Sequence, residues 1–217
     1  MTSGVWPLLR GVGAAVLTVA WAIAAHVSSS SGQPSAWGAM LALAPLLVAA
    51  ALGLWRLPRR WLAALLGAGL AGVLVVSWPL LTARVALLYF VQHMGIYLLL
   101  ASFFGRTLSG GGESLVTQMA RRIHGGVLST AQQRYTRKVT VAWTVFFVLM
   151  ALTSAVLFAG APLPVWSTFA NLLGGPLIGL MFVGELLVRR LVLPAEDRAS
   201  LMETVRAWRR HNASGKR

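Results

Sequence analysis

Few side chains in this sequence are equipped for chemistry, and their types and spacing restrict what they could do. The histidines are His26, His93, His124 and His211, and the carboxylates are Glu113, Glu185, Glu196, Asp197 and Glu203. No Ser-His-Asp set, no metal-ligand cluster and no His-x-x-x-x-Asp acyltransferase pattern can be assembled from them, so no catalytic residue, metal or cofactor is expected. Cysteine is absent, which removes a thiolate nucleophile, a disulfide framework, a zinc-thiolate site and a cysteine-held iron-sulfur cluster. Enzymatic activity therefore has little support.

Polar residues inside long apolar runs are the next places to look, because a polar group in hydrocarbon is costly and calls for a partner or a purpose. Tyr89, His93 and Tyr97 are spaced i, i+4, i+8 and share one helix face, and Gln92 adjoins them. Gln92 and His93 lie about nine residues from either end of their run, near the middle of a bilayer. Two readings stand: a substrate or relay group in a cavity, or a polar contact to a neighbouring helix. Asn171 precedes Gly174, Gly175, Pro176 and Gly179; the Gly175-x-x-x-Gly179 spacing predicts close helix packing and Pro176 a kink. Glu185 is the lone carboxylate within any apolar run. Arg189 at i+4, or Arg106, is its expected partner in a salt bridge, and a coupling acid is the alternative. It lies about 10 Å in depth from His93, too far for the two to act together.

The elements that would position these residues follow from composition. Of 217 residues 57% are hydrophobic and 11% charged, with a mean hydropathy of +0.73. That excludes a soluble globular domain. A hydrocarbon core of about 30 Å takes roughly 20 apolar residues of helix. Six such runs occur, at about 11–27, 37–55, 61–78, 84–104, 139–160 and 168–188. They are too long and too continuously apolar for the alternation of a barrel. The expected fold is all-α: a polytopic six-helix transmembrane bundle spanning residues 1–193, followed by a basic tail, 194–217. Trp37, Trp55, Trp61, Trp78 and Trp166 sit at run edges, as interfacial rings do.

Nineteen Lys and Arg against five acids leave a formal charge of +14. With the N-terminus inside, eighteen of the nineteen basic residues fall on the inner side, and Arg84 alone falls outside. Retention of positive loops in the cytoplasm then predicts a multi-pass inner-membrane protein with both termini cytoplasmic. A competing reading makes the first run a cleaved signal peptide ending near Ala24 and Ala25. Nucleic-acid binding is not expected, because topology already explains where the bases lie.

Loop 105–138 is the longest polar segment between runs. Its Gly110-Gly111-Gly112 triplet lacks the Gly-Lys-Ser/Thr and the preceding strand of a phosphate loop and reads as a hinge. After Ser114, a predicted N-cap, Leu115, Val116, Met119, Ala120 and Ile123 recur at helical spacing opposite Gln118, Arg121 and Arg122. This predicts a short helix in the headgroup layer. Ser129-Thr130-Ala131-Gln132 reads as a capping box for a helix that continues into the fifth span. Arg106, Arg121, Arg122, Arg134, Arg137 and Lys138 are the candidate contacts to anionic lipid headgroups or to a cytoplasmic partner. In the tail, Ala195 to His211 reads as an amphipathic helix with Glu196 and Asp197 in its first turn and Arg206, Arg209 and Arg210 in its last.

The segments Phe103-Phe104-Gly105-Arg106-Thr107-Leu108, Tyr135 to Phe147, Trp166 to Leu173 and Met181-Phe182-Val183-Gly184-Glu185 together resemble a bacterial inner-membrane family associated with aryl-polyene and fatty-acid-synthase-like gene clusters. The likeness covers about residues 90–193; the N-terminal half agrees only in hydropathy. It implies an accessory part in making, handing over or exporting an acyl or polyene-lipid product, with acyl-processing proteins as partners. A ketosynthase role is contradicted by the missing cysteine nucleophile. A fainter likeness, in the Arg137 to Phe147 pattern and the Trp166 segment, is to intracellular septation membrane proteins. Three functional expectations result: a non-enzymatic accessory protein docking through its basic loops, a small carrier using Gln92, His93 and Tyr97, and a membrane enzyme using Glu185.

Overall fold

The computed structural model describes the backbone of residues 5–123 and 128–193 and side chains from residue 9 onward. Every regular element among these residues is helical: α1 (Val5–Ser30), α2 (Ala36–Trp55), α3 (Arg60–Ala83), α4 (Val85–Ser109), α5 (Leu115–Ile123), α6 (Thr130–Gly160), α7 (Leu163–Ser167), a π-helical turn (Thr168–Leu173) and α8 (Gly174–Val192). Six helical stretches are long and apolar enough to cross a membrane. The protein is a multi-pass, all-α membrane protein. The expected tail helix, His124 and His211 lie outside the described residues.

The helices outrun the apolar segments that announce them. The first span is a helix from Val5, not Gly11. The third does not stop at Trp78-Pro79 but continues to Ala83, its last turn stitched by the Thr82 hydroxyl donating to the carbonyls of Trp78 and Pro79 at 3.0 and 3.1 Å. Arg84 alone joins it to α4. The fifth starts at Thr130 because a reciprocal capping box forms there. The Ser129 amide donates to Gln132 Oε1 at 2.9 Å and the Gln132 amide to Ser129 Oγ at 3.1 Å.

Contacts group the chain into two compact units, one made of Met1–Met94 and Thr153–Gly175, the other of Gly95–Leu152 and Pro176–Arg217. In the first, Trp166 is fully buried among Ala25, Ala39, Ala42, Val85 and Tyr89. Lipid tails are as apolar as leucine, so helix association in a membrane depends on small residues and hydrogen bonds more than on hydrophobic transfer. The alanines serve that end, and so does Gly38, where a Cβ would stand 2.9 Å from Val85 Cγ1 and 3.1 Å from Ser28 Cβ. Phe90 stacks on Phe158 with centroids 4.2 Å apart, and Phe158 meets Trp166 edge-on at 5.0 Å.

The second unit is held by an aromatic group in which Trp143 and Phe147 meet Phe104 at 6.4 and 5.3 Å and Trp143 meets Phe182 at 4.7 Å. Large apolar side chains elsewhere face outward, with Val76 82% and Leu191 84% exposed. Water would penalise that surface and hydrocarbon does not.

Candidate functional site

Two polar clusters are built into the fold, one in each unit. In the first unit α1 brings His26 and Ser29 against Ser167 at the end of α7. His26 Nδ1 and Ser167 Oγ share a hydrogen bond of 2.9 Å, and Ser29 Oγ and Ser167 Oγ one of 2.8 Å. Asn171 Nδ2 donates to Ser29 Oγ at 3.0 Å and to Ser167 Oγ at 3.2 Å. The wider turn of the π segment carries Asn171. Beside it, Trp166 Nε1 donates to Ser154 Oγ at 3.0 Å, and Ser28 Oγ to the Tyr89 hydroxyl at 3.2 Å. Ser29, Ser154 and Ser167 have no exposed surface. A serine bonded to a histidine resembles a nucleophile and its base, but a hydroxyl sealed from every side and saturated with partners cannot meet a substrate. The cluster joins helices.

In the second unit the polar cluster positions α5. Thr117 Oγ1 bonds Ser114 Oγ and Thr136 Oγ1, each at 2.7 Å, and Thr140 Oγ1 donates to Ser114 Oγ at 3.1 Å. Ser114 precedes α5, as an N-cap would, yet its hydroxyl is spent on Thr117 and Thr140. The first amides of α5 are capped from other helices: Leu115 by Thr107 Oγ1 at 3.0 Å, Val116 by Thr140 Oγ1 at 3.3 Å. These bonds fix α5 to α4 and α6. They leave Met119, Arg122 and Ile123 exposed along one side of it.

The candidate basic residues then separate by what they touch. Arg121 pairs with Glu113, and Arg137 Nη2 donates to the Leu108 carbonyl at 3.2 Å, so both have work within the fold. Arg106, Arg122, Arg134 and Lys138 are exposed and form no ion pair among the described residues.

Glu185 pairs with Arg189, not Arg106: Arg189 Nε and Nη2 stand 3.0 and 2.8 Å from Glu185 Oε1. The Tyr135 hydroxyl donates to the same oxygen at 3.1 Å and to the Glu185 carbonyl at 3.0 Å. Tyr135 and Glu185 of this trio line a groove of about 600 Å³ between α6 and α8. Its walls are Tyr135, Lys138, Val139, Ala142 and Phe146 on one side and Leu177, Met181, Gly184, Glu185, Val188 and Val192 among those on the other.

The residues expected near the bilayer middle each have contacts within the fold. Gln92 Nε2 donates to the Ala42 carbonyl at 2.7 Å, in the turn that Pro45 disturbs. Its amide is a contact between helices. His93 lies 6.0 Å from the Phe169 ring, with both ring nitrogens buried. Tyr89 belongs to the first unit's core, whereas Tyr97 packs in the second unit, 6.2 Å from Phe147. Among the described residues no three His, Asp or Glu side chains are grouped to hold a metal ion. Among the described residues nothing stands within 4 Å of a Cβ placed at Gly175 or at Gly179, so the expected close packing is not seen there.

Sequence reasoning passed over His26, Ser29, Ser167, the hydroxyl cluster around Thr140, and the groove. Ser167 lies 141 residues from His26, and no local pattern announces a pairing at that separation. Thr136, Thr140 and Thr144 at i, i+4, i+8 were a signal for a polar seam on α6.

No family model, no curated protein and no solved structure matches this chain.

Proposed function

We propose that this protein is a non-enzymatic integral protein of the bacterial inner membrane, with both termini cytoplasmic, that serves the biosynthesis, hand-over or export of an acyl or polyene-lipid product. It docks acyl-processing proteins or anionic lipid through loop 105–138. The observation that carries this reading is the construction of α5. A nine-residue helix is too short to persist alone in water, yet buried hydroxyls and two borrowed caps hold it, so Arg122 is presented with Met119 and Ile123 as a fixed amphipathic face. The distribution of Lys and Arg supports the orientation. The likeness of residues 90–193 to proteins of acyl and polyene gene clusters supports the product class.

The carrier reading has less behind it, since the Gln92 amide is committed to the Ala42 carbonyl. The enzyme reading has less again, since Glu185 is engaged by both Arg189 and Tyr135.

The test replaces Arg106, Arg122, Arg134 and Lys138 together by Gln and leaves the structurally engaged Arg121 and Arg137 in place. The variant is expected to insert normally and to lose association with acidic, acyl-thioester-bearing proteins and with anionic vesicles. Wild-type association by the inserted variant would reject the docking role.

A further inference from the structure

The groove between α6 and α8 combines a long apolar wall with two charged groups, Lys138 and Glu185, near Tyr135. From Tyr135 to Phe146 the wall on α6 rises about 16 Å, close to half of a hydrocarbon core of about 30 Å. That is the depth of one leaflet. Ala142 and Gly184 keep the middle of the groove wide, and a Cβ at Gly184 would find nothing within 4 Å.

The charge beside the groove is not balanced. Glu185 has its carboxylate held by Arg189 and by the Tyr135 hydroxyl, which leaves Lys138 at the groove and Arg134 one turn before it on α6 without a carboxylate partner among the described residues. The site therefore has an apolar slot for a tail and a net positive rim for its head.

We propose that this groove binds one anionic phospholipid, with an acyl tail along Ala142, Phe146, Leu177 and Met181 and its phosphate at Lys138. A phospholipid fits better than a free fatty acid because the groove is open along exposed Leu180 and Val192, where a second tail can lie in the surrounding lipid. The site shares Lys138 with the loop's docking role, and the slot-filling variants below, which leave every loop cation in place, separate the failure of one assignment from the failure of the other.

The test is native mass spectrometry of the full chain in detergent, titrated separately with phosphatidylglycerol, phosphatidylcholine and palmitate. One phosphatidylglycerol per chain should be retained, about fivefold or more over phosphatidylcholine, as expected for a single cation facing an anionic head. Lys138→Glu should remove that preference and Lys138→Arg should keep it. Ala142→Trp and Gly184→Leu, which fill the slot from opposite walls, should each abolish retention, while Val145→Trp, on α6 outside the groove, should leave it intact. Equal retention of phosphatidylcholine, preference for palmitate, or unchanged retention in both slot-filling variants would overturn the proposal. So would equal loss in Val145→Trp.

Discussion

The two units spend their polar residues in opposite ways. In the first, His26 and Asn171, both half-buried, bond the fully buried hydroxyls of Ser29 and Ser167, and Trp166 beside them bonds Ser154. In the second, a buried hydroxyl cluster of similar size fixes α5 and leaves exposed cations beside it, and the α6–α8 groove carries Lys138 at its rim. The contrast separates two uses of polarity in a membrane protein. A closed, saturated network determines which helices meet. A network that braces a surface with unspent charge is what the proposed docking role requires.

The contrast can be broken most severely at Trp166. Trp166→Ala removes the ring that Phe90, Phe158 and Ser154 pack against and is expected to destabilise the protein by about 3 to 5 kcal/mol, read as a lowered midpoint of denaturant unfolding in detergent. Anionic-lipid retention by the fraction still folded should be unchanged; loss of retention there would mean that the first unit does more than hold itself together.

A smaller effect is expected at Thr140, whose hydroxyl touches Ser114, the Val116 amide and the Thr136 carbonyl. Thr140→Val leaves a buried donor without its acceptor, for a cost of about 1 to 3 kcal/mol. Hydrogen exchange should speed up across residues 115–123 while α1 and α2 keep their protection. Uniform deprotection would show that the two polar clusters are not separable.

The smallest change belongs to Ser167→Ala. Hydrogen bonds between membrane helices average about 0.6 kcal/mol, so this variant should unfold almost as the parent does and keep all its binding properties. A large loss of cellular function with little loss of stability would convert the closed cluster into a site, with His26 and Asn171 as its other members.

How much of this was readable in advance depends on range along the chain. The six crossings follow from runs of apolar residues and the charges between them, and the capping box at Ser129 and Gln132 is a signal four residues long. The start of α1 and the end of α3 were missed, the latter because the helix is stitched through Pro79 by Thr82, whereas the start of α6 at Thr130 was announced by its capping box. The candidate sites fared less well. Gln92 and Glu185 were recognised as polar groups needing partners, but the Ala42 carbonyl could not be foreseen, since it depends on how α4 crosses α2. The Gly175-x-x-x-Gly179 spacing pointed to a close approach that is not seen among the described residues, because spacing permits contact without requiring it. The groove exists only as a relation between two helices.

The account rests on the basic loop and the first inter-helix loop facing opposite sides of the membrane. With no native cysteine, single replacements Ser109→Cys and Gln33→Cys can be probed in intact cells with a membrane-impermeant maleimide. The account predicts that Gln33→Cys reacts at once and that Ser109→Cys reacts only after the membrane is opened. Labelling of Ser109→Cys in sealed cells, with Gln33→Cys protected, would contradict it.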